Sequence, residues 1–357
     1  MAIPQKSLAP ALFVDEDGNF KVIHNVPIPD LVEGEVVVKT VFSGVNPADV
    51  KHGPMLGVKP TIIGYDFCGR VVKANGASKF KVGDFVAGFT PTGIGKPPRY
   101  GAHQEYLASP EEIVFKVPDN LPHAHAASIT CVVSTAADGL YNVFGLPVPG
   151  QKPDGQFKAG PILIWGGATS VGLSMVQLAR ASGAFPIFVT ASPKRHEVLG
   201  KLGATRCFDY NAPDVAAQIK AAVEEAKVGP ILYAADCAGA YSPVNSGSQM
   251  AACVGDEAAL VSVVGRPDKR FTMVFASAHA TVTMRIGGGP VMTFPARPEA
   301  FERMWKTVTW AAENYGAGFS IPAVEVFEGP AEEALAEVKK AAEQGRFGKL
   351  VLKQPLL

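Results

Sequence analysis

The stretch from Pro161 to Gly172, "PILIWGGATSVG", constrains the chain more than any other segment. An apolar run ends in Trp165, Gly166 and Gly167 follow, and Gly172 stands where a helix should begin. Such a run, closed by glycines and continued by the amphipathic "VGLSMVQLARASG", is a strand turning tightly into a helix. Val171, Met175, Leu178 and Ala179 fall on one helical face, and Gly183 ends the helix. The same beat then repeats. "IFVTA" precedes "PKRHEVLGKLG", which Gly203 closes, and "TRCFDY" precedes a helix expected from about Asp214 to Ala226. "ILYAADCAG" and "ALVSVVG" are further short apolar strands. Strands buried on both faces and separated by helices specify an α/β, doubly wound parallel sheet of right-handed βαβ units.

The residues ahead of this stretch have a different rhythm. "EVVVKTVF" (Glu35 to Phe42), "CGRVVKA" (Cys68 to Ala74) and "VGDFVAGF" are β-branched or apolar runs punctuated by Gly and Pro, as in a small barrel. A Pro/Gly-rich connection, "GLPVPGQKPDGQFKAG", separates the two regimes. After about Gly287 the βα beat is lost. Helices around Pro298 to Glu313 and Ala331 to Gln344 frame "FSIPAVEVFEG", and "GKLVLKQP" is the last strand. A chain of 357 residues is too long for one ordinary core. The division expected is a β-rich domain over 1–150, completed by a returning tail at 288–357, and a sheet domain over 151–287. "FASAHATVTMRI" offers residues for an exposed edge strand through which two copies could pair, although His279 and Arg285 would blunt it; a monomer is expected.

Charge narrows the function. Lys plus Arg and Asp plus Glu each number 33, with no block of one sign, so neither the phosphates of nucleic acid nor an anionic membrane finds a complementary face. No apolar run is long enough to span a bilayer, and "MAIPQKSLAP" lacks a signal-peptide layout. The cysteines Cys68, Cys131, Cys207, Cys237 and Cys253 are scattered, with no C-x-x-C pair. They read as small buried residues in a reducing, cytoplasmic compartment. His52, His103, His123, His125 and His279 have no metal-ligand spacing and read as structural or solvated, with 123–125 in a loop. No metal is expected.

The turn after Trp165 is also a candidate phosphate cradle. In the pattern G-x-G-x-x-G the glycines permit a tight turn, close approach to a pyrophosphate, and helix–strand packing. Gly167 and Gly172 fill the outer places, but Thr169 takes the middle one. A tight turn with no ligand is therefore the alternative. The strand before, the helix after and the series of βα units favour a dinucleotide over Gly167, Ala168, Thr169, Ser170, Val171 and Gly172, with Thr169 and Ser170 adding hydroxyl donors. An acid about 20 residues on would hold the 2′-hydroxyl of NADH. The second strand ends instead in "VTASPKRHE", where Ser192, Lys194 and Arg195 suit a 2′-phosphate, which favours NADPH. Ordinary exposed cations in a first helical turn are the alternative. Tyr210, in "FDYNAP", is placed to lie beside the adenosine, or is a half-exposed strand-end tyrosine.

With these pieces the chain resembles the medium-chain dehydrogenase/reductase superfamily over nearly its whole length, through "GVNPADVKHG", "PTIIGYDFCGRVVKAN", "FKVGDFVAGF", "GAHQEYL" and "GRFGKLVL". The resemblance implies a GroES-like β-rich catalytic domain and a Rossmann domain. Zinc-dependent members carry Cys near the place of Asn46 and a His-Glu pair within the stretch matching "GYDF"; this chain has Asn46, Tyr65 and Asp66, too few ligands for catalytic zinc. It is similar to the zinc-free quinone oxidoreductases and enoyl reductases. "NPADVKHG", "SITCVVSTAADGLYNVFGLP" and "MRIGGGPVMTFP" most resemble the trans-acting enoyl reductases of fungal polyketide synthases.

What that resemblance implies is reduction of an α,β-unsaturated thioester on an acyl carrier, with a polyketide synthase as partner. It assigns Lys51 and Thr135 to catalysis, Asn46, Pro47, Val264, Phe347 and Gly348 to the cofactor, and Cys131, Ser134, Asp138, Met284, Gly287 and Gly288 to the acyl pocket. Lys51 also reads as a surface lysine, "CVVSTAAD" as the packed start of a helix, and Gly287 to Gly289 as an exit from the sheet. No general acid stands out: Tyr65 lies in the altered zinc motif, but nothing in the sequence aims its hydroxyl. A quinone or small-enone oxidoreductase, and a cofactor-binding sensor without activity, are the competing functions.

Overall fold

In strand Glu35–Gly44 consecutive valines bury against both faces of a sheet, and this strand is the spine of the first of two units. The computed structural model describes residues 5–151, 160–286 and 289–357. The first unit contains Met1–Cys131, Ser277–Pro298 and Pro322–Leu357. Its seven-stranded sheet runs Val324–Phe327, Lys349–Lys353, Glu35–Gly44, Asp66–Ala74, Phe85–Phe89, Val114–Lys116, and Tyr106–Pro110 also pairs with Glu35–Gly44. Neighbours are antiparallel except Val324–Phe327 and Lys349–Lys353, which are parallel. One register matters for chemistry: Gly44 lies opposite Val351 on one side and Asp66 on the other. The chain ends carrying Asn46, Asp66 and Lys349 are thereby brought to one end of three adjacent strands. Helix Ala331–Gln344 buries Ala331, Ala334, Leu335, Val338 and Ala342, a three-and-four spacing, against Leu12, Val14, Leu350 and Leu352.

The second unit contains Val132–Ala276 and Glu299–Ile321. Its six strands are all parallel, in the order Arg206–Phe208, Ile187–Thr190, Ile162–Trp165, Tyr233–Asp236, Ala259–Ser262, Phe271–Met273. Ile162–Trp165 is central and wholly buried, and the order of connection reverses on its two sides. In such sheets ligands bind outside the carboxyl ends of the strands at that reversal. The doubly wound sheet and the β-rich domain are as the sequence specifies. Helices lie at Ser170–Ala181, Val215–Ala226, Pro298–Glu313 and Ala331–Gln344.

Packing divides the chain differently from punctuation. The first boundary falls at Cys131/Val132, inside helix His123–Ala137, and not at 150; residues 299–321 join the sheet unit and not the returning tail. A long apolar helix can continue from one core into another without a loop, so Gly and Pro do not mark the change. His123 and His125 accordingly lie on that helix and not in a loop, and "CVVSTAAD" is its carboxyl-terminal part, not its start. Val282–Arg285 pairs with Val291–Phe294 in a two-stranded ribbon of the first unit. It is not an edge of the parallel sheet, whose last strand is Phe271–Met273. Residues 152–159 of the Pro/Gly-rich connection, and the expected pocket residues Gly287 and Gly288, lie outside the described residues.

Candidate active site

The turn that leaves Trp165 is so tight that only glycine fits. Gly166 has φ +81°, and a Cβ there would lie 2.9 Å from Ala238 Cβ. A Cβ on Gly172 would meet the Gly166 carbonyl oxygen at 2.3 Å, so the helix start sits directly on the turn. The N–H groups of Gly166 and Gly167 donate to the Thr190 carbonyl at 3.2 and 2.9 Å, tying the turn to the next strand. Thr169 is the N-cap of helix Ser170–Ala181: its hydroxyl accepts from the Gly172 N–H at 3.0 Å and donates to the Cys237 carbonyl at 3.1 Å. The hydroxyl proton is thus engaged, and Thr169 is not the free donor expected of it. The side chain that breaks the glycine pattern caps the helix instead.

Ser192, Tyr210 and Val264 each follow the carboxyl end of a parallel strand, as the cradle does, and so share its edge of the sheet. Ser192 opens a short turn, Pro193–Arg195, in which its carbonyl accepts from the Arg195 N–H at 2.9 Å. Lys194 is exposed, and Tyr210 is 39% exposed. The same edge holds a group that escaped sequence reasoning. The Arg266 side chain is 2% exposed, and its guanidinium donates to Asp236 Oδ2, Ser246 Oγ, Asn245 Oδ1 and the Ala240 carbonyl. It pins the loop after Tyr233–Asp236, the loop whose Cys237 carbonyl receives the Thr169 hydroxyl. These residue types in that order carry no local periodicity, so nothing in the sequence singles them out.

In the first unit, the strand ends assemble a buried polar cluster. Asn46 donates from Nδ2 to Asp66 Oδ2 at 3.0 Å and accepts at Oδ1 from Lys349 Nζ at 2.7 Å. Lys349 also donates to the Val45 carbonyl at 2.8 Å and pairs with Asp66 Oδ2 at 3.5 Å. Asp66 Oδ1 accepts from the Cys131 N–H at 2.8 Å. Burial, reinforced by Asp66, pushes the Cys131 thiol well above its ordinary range. This donor set does not fit a metal ion. Both ends of the Asn46 amide and both Asp66 oxygens are already bonded, one of them beside an ammonium, and the thiol is held protonated. Among the described residues no group of three His, Cys, Asp or Glu is placed to ligate one.

Next to that cluster lies another, which joins Tyr65 of the altered zinc motif and His52 and His103, read from sequence as structural or solvated, to Asp49, Thr92 and Lys96, which the sequence did not single out. The Tyr65 hydroxyl is 2.8 Å from His52 Nδ1 and 3.1 Å from Thr92 Oγ1. Lys96 Nζ lies 4.1 Å from the centre of the Tyr65 ring and donates to the Gly64 carbonyl at 3.1 Å. Asp49 Oδ2 accepts from the Asn46 N–H at 2.7 Å and pairs with His103 Nε2 at 3.2 Å, while Oδ1 has no hydrogen-bond partner. Desolvation lowers the Lys96 ammonium to about 7, against the opposing charge of Asp49. Burial also lowers His52 to about 4 and holds Tyr65 protonated well above its usual range. Such a set can donate and relay protons.

The remaining expected residues divide between the two units. Lys51 is exposed on helix Ala48–Leu56, and Pro47 is that helix's N-cap residue. Asn46 is 6% exposed, with its amide committed as above. Ser134 is buried and Thr135 half-buried on helix His123–Ala137. Both Asp138 carboxylate oxygens accept hydrogen bonds, from Asn142 Nδ2 at 2.9 Å and the Phe275 N–H at 3.0 Å. Met284 is buried in its ribbon. Phe347 precedes Gly348, whose φ of +80° and contact with the Ala323 carbonyl require glycine.

Comparison with known proteins bears on both sites. Residues 32–119 match the alcohol dehydrogenase GroES-like domain family, and residues 170–309 match the zinc-binding dehydrogenase family. The chain is 34% identical to the uncharacterized protein YCR102C of Saccharomyces cerevisiae, over 80% of this chain and 83% of that one. It is 30% identical to the trans-enoyl reductase mpsG of Macrophomina phaseolina, over 77% and 73% of the two chains. Among solved structures, a mycobacterial protein, Rv1454c, complexed with NADPH superposes with a TM-score of 0.69 at 21% identity, covering 97% of this chain and 99% of that one.

Proposed function

Since the chain belongs to the medium-chain dehydrogenase/reductase family, as an enoyl-reductase-like oxidoreductase of its zinc-independent kind, we propose that it is an NADPH-dependent enoyl reductase. Its substrate is an α,β-unsaturated polyketide thioester presented on an acyl carrier, and it acts in trans with a polyketide synthase, as a monomer in the cytoplasm. The observation that carries this reading is the glycine cradle at the reversal of strand order, followed by a second strand that ends in Ser192, Lys194 and Arg195 without an acid. The relative named a trans-enoyl reductase supports the reaction type. No described helix is long and apolar enough to cross a membrane.

When bound, the nicotinamide supplies a hydride for the β-carbon. The protein's part is to hold, orient and protonate. The first turn of helix Ser170–Ala181 offers N–H groups and a positive dipole end to a pyrophosphate. Ser192, Lys194 and Arg195 take the 2′-phosphate, Tyr210 flanks the adenosine, and Val264 lines the same edge. Asn46, Pro47, Phe347 and Gly348 keep the cofactor role that the resemblance gives them. Lys51 and Thr135 are assigned to catalysis, and Cys131, Ser134 and Met284 to the acyl chain. Gly287 and Gly288 keep that assignment from the resemblance alone.

The test is oxidation of NADPH and NADH with α,β-unsaturated thioesters, free and carrier-bound, and with quinones in parallel. NADPH-dependent turnover of thioesters, faster on the carrier, is expected. Replacing both Lys194 and Arg195 by Ala should raise the NADPH KM by about 10- to 100-fold and leave that for NADH unchanged, because charge-assisted bonds to one phosphate are lost. Turnover confined to quinones would make it a quinone oxidoreductase. Binding without turnover would make it a sensor.

A further inference from the structure

The reduction proposed above needs a proton as well as a hydride, and sequence motifs named no donor. We propose that the Tyr65 hydroxyl delivers that proton, with His52, Lys96 and Asp49 as its positioning and recharging residues. This rests on the reductase reading. Three ionisable side chains from two stretches of chain are gathered around one phenol: His52 Nδ1 at 2.8 Å from its oxygen, Lys96 Nζ at 4.1 Å from its ring centre, and Asp49, which shares a helix with His52 and whose charge acts on Tyr65, His52 and Lys96. Burying such groups is costly, and a purely structural network would satisfy them. This one does not. Among the described residues, Asp49 Oδ1 is buried without a hydrogen-bond partner, and Lys96 makes one hydrogen bond from its three donors. The neighbouring Asn46–Asp66–Lys349 cluster, by contrast, is bonded throughout.

The step balances. Hydride addition at the β-carbon leaves an enolate of the thioester. The Tyr65 O–H bond breaks as a C–H bond forms at the α-carbon, and the phenolate's negative charge is met by the Lys96 ammonium. Half-buried His52 then takes a proton from water at Nε2 and passes one from Nδ1 to the phenolate oxygen, restoring the tyrosine. Lys96 must be charged while this happens. The groups facing it are Tyr65, His52 and Asp49, with Cys131 from helix His123–Ala137. It carries its proton below pH about 7 and loses it above.

The experiment compares wild type with Tyr65→Phe, Lys96→Met and Lys96→Arg, reducing a crotonyl thioester with NADPH in H2O and D2O across pH. Expected for Tyr65→Phe is a loss of about 10²- to 10³-fold in kcat, with KM for both substrates unchanged and the solvent isotope effect altered as protonation passes to solvent. Wild-type kcat should fall above pH about 7. Lys96→Arg should move that limb upward, because guanidinium keeps its charge, and Lys96→Met should be slow without a limb. A structural lysine would be missed by the fold. Lys96→Met should instead melt no lower than wild type at pH 6, where it removes a buried charge. A Tyr65→Phe enzyme with wild-type kcat and isotope effect overturns the proposal. If wild type reduces no thioester, the reductase reading fails, and NMR titration of 13C-labelled lysine tests the relay separately. A Lys96 midpoint that shifts in Tyr65→Phe supports the coupling, and an unmoved one overturns it.

Discussion

Gly64 shows how much one residue can decide. Its carbonyl accepts from the Lys96 ammonium, and its α-carbon lies so close to His103 that a Cβ would sit 2.8 Å from the ring and 2.9 Å from the His103 backbone nitrogen. Its φ is +96°, where side chains other than hydrogen are strained. The turn delivers Tyr65 and Asp66 to their two polar clusters side by side. Gly64→Ala should therefore cost about 1–3 kcal/mol and lower the melting temperature by several degrees. It should also lose activity in the folded enzyme, because Tyr65 moves with the turn. Circular dichroism melts alongside steady-state rates check this, and an unstrained, fully active variant would refute it.

At the scale of the element, helix Ser170–Ala181 depends on Thr169 at its start. One hydroxyl satisfies the Gly172 N–H and the Cys237 carbonyl, and so joins the cradle to the loop pinned by Arg266. Thr169→Ala leaves both groups unmet and should destabilise by about 1–2 kcal/mol, with weaker NADPH binding by isothermal titration. Thr169→Ser keeps the oxygen and should behave nearly as wild type. Restoring the glycine pattern by Thr169→Gly should likewise weaken binding, since Gly lacks the acceptor that orders the turn. Tighter binding in that variant would show the glycine pattern to matter more than the cap.

At the scale of the molecule, the two units keep separate cores, and the proposed phosphate-binding residues all lie in the second. Saturating NADPH at a hundred times Kd should stabilise the folded protein by about 2.7 kcal/mol, and NADH at the same concentration by less. Hydrogen exchange should slow at Gly166 to Ser174 and at Ser192 to His196, the turn and strand end that would hold the phosphates. Protection spread evenly over the Glu35–Gly44 sheet instead would place the ligand elsewhere.

What the sequence determined by itself is whatever recurs within a few residues. The strand-to-helix turn at Trp165, the 3.6-residue stripe from Val171, the apolar strands of a parallel sheet and the basic second strand end are all local, because glycine punctuation and side-chain periodicity follow backbone geometry. The quoted motifs placed the family for the same reason. Tertiary structure decided the rest. The register that sets Gly44 between Val351 and Asp66 brings Lys349 to Asn46, though the chain between them is nearly the whole protein. Nothing local links His52, Tyr65 and Lys96, and they come together as a buried group only through the fold. Helix His123–Ala137 likewise conceals the boundary between the units, since continuous helical hydrogen bonding leaves no mark where one core gives way to the next.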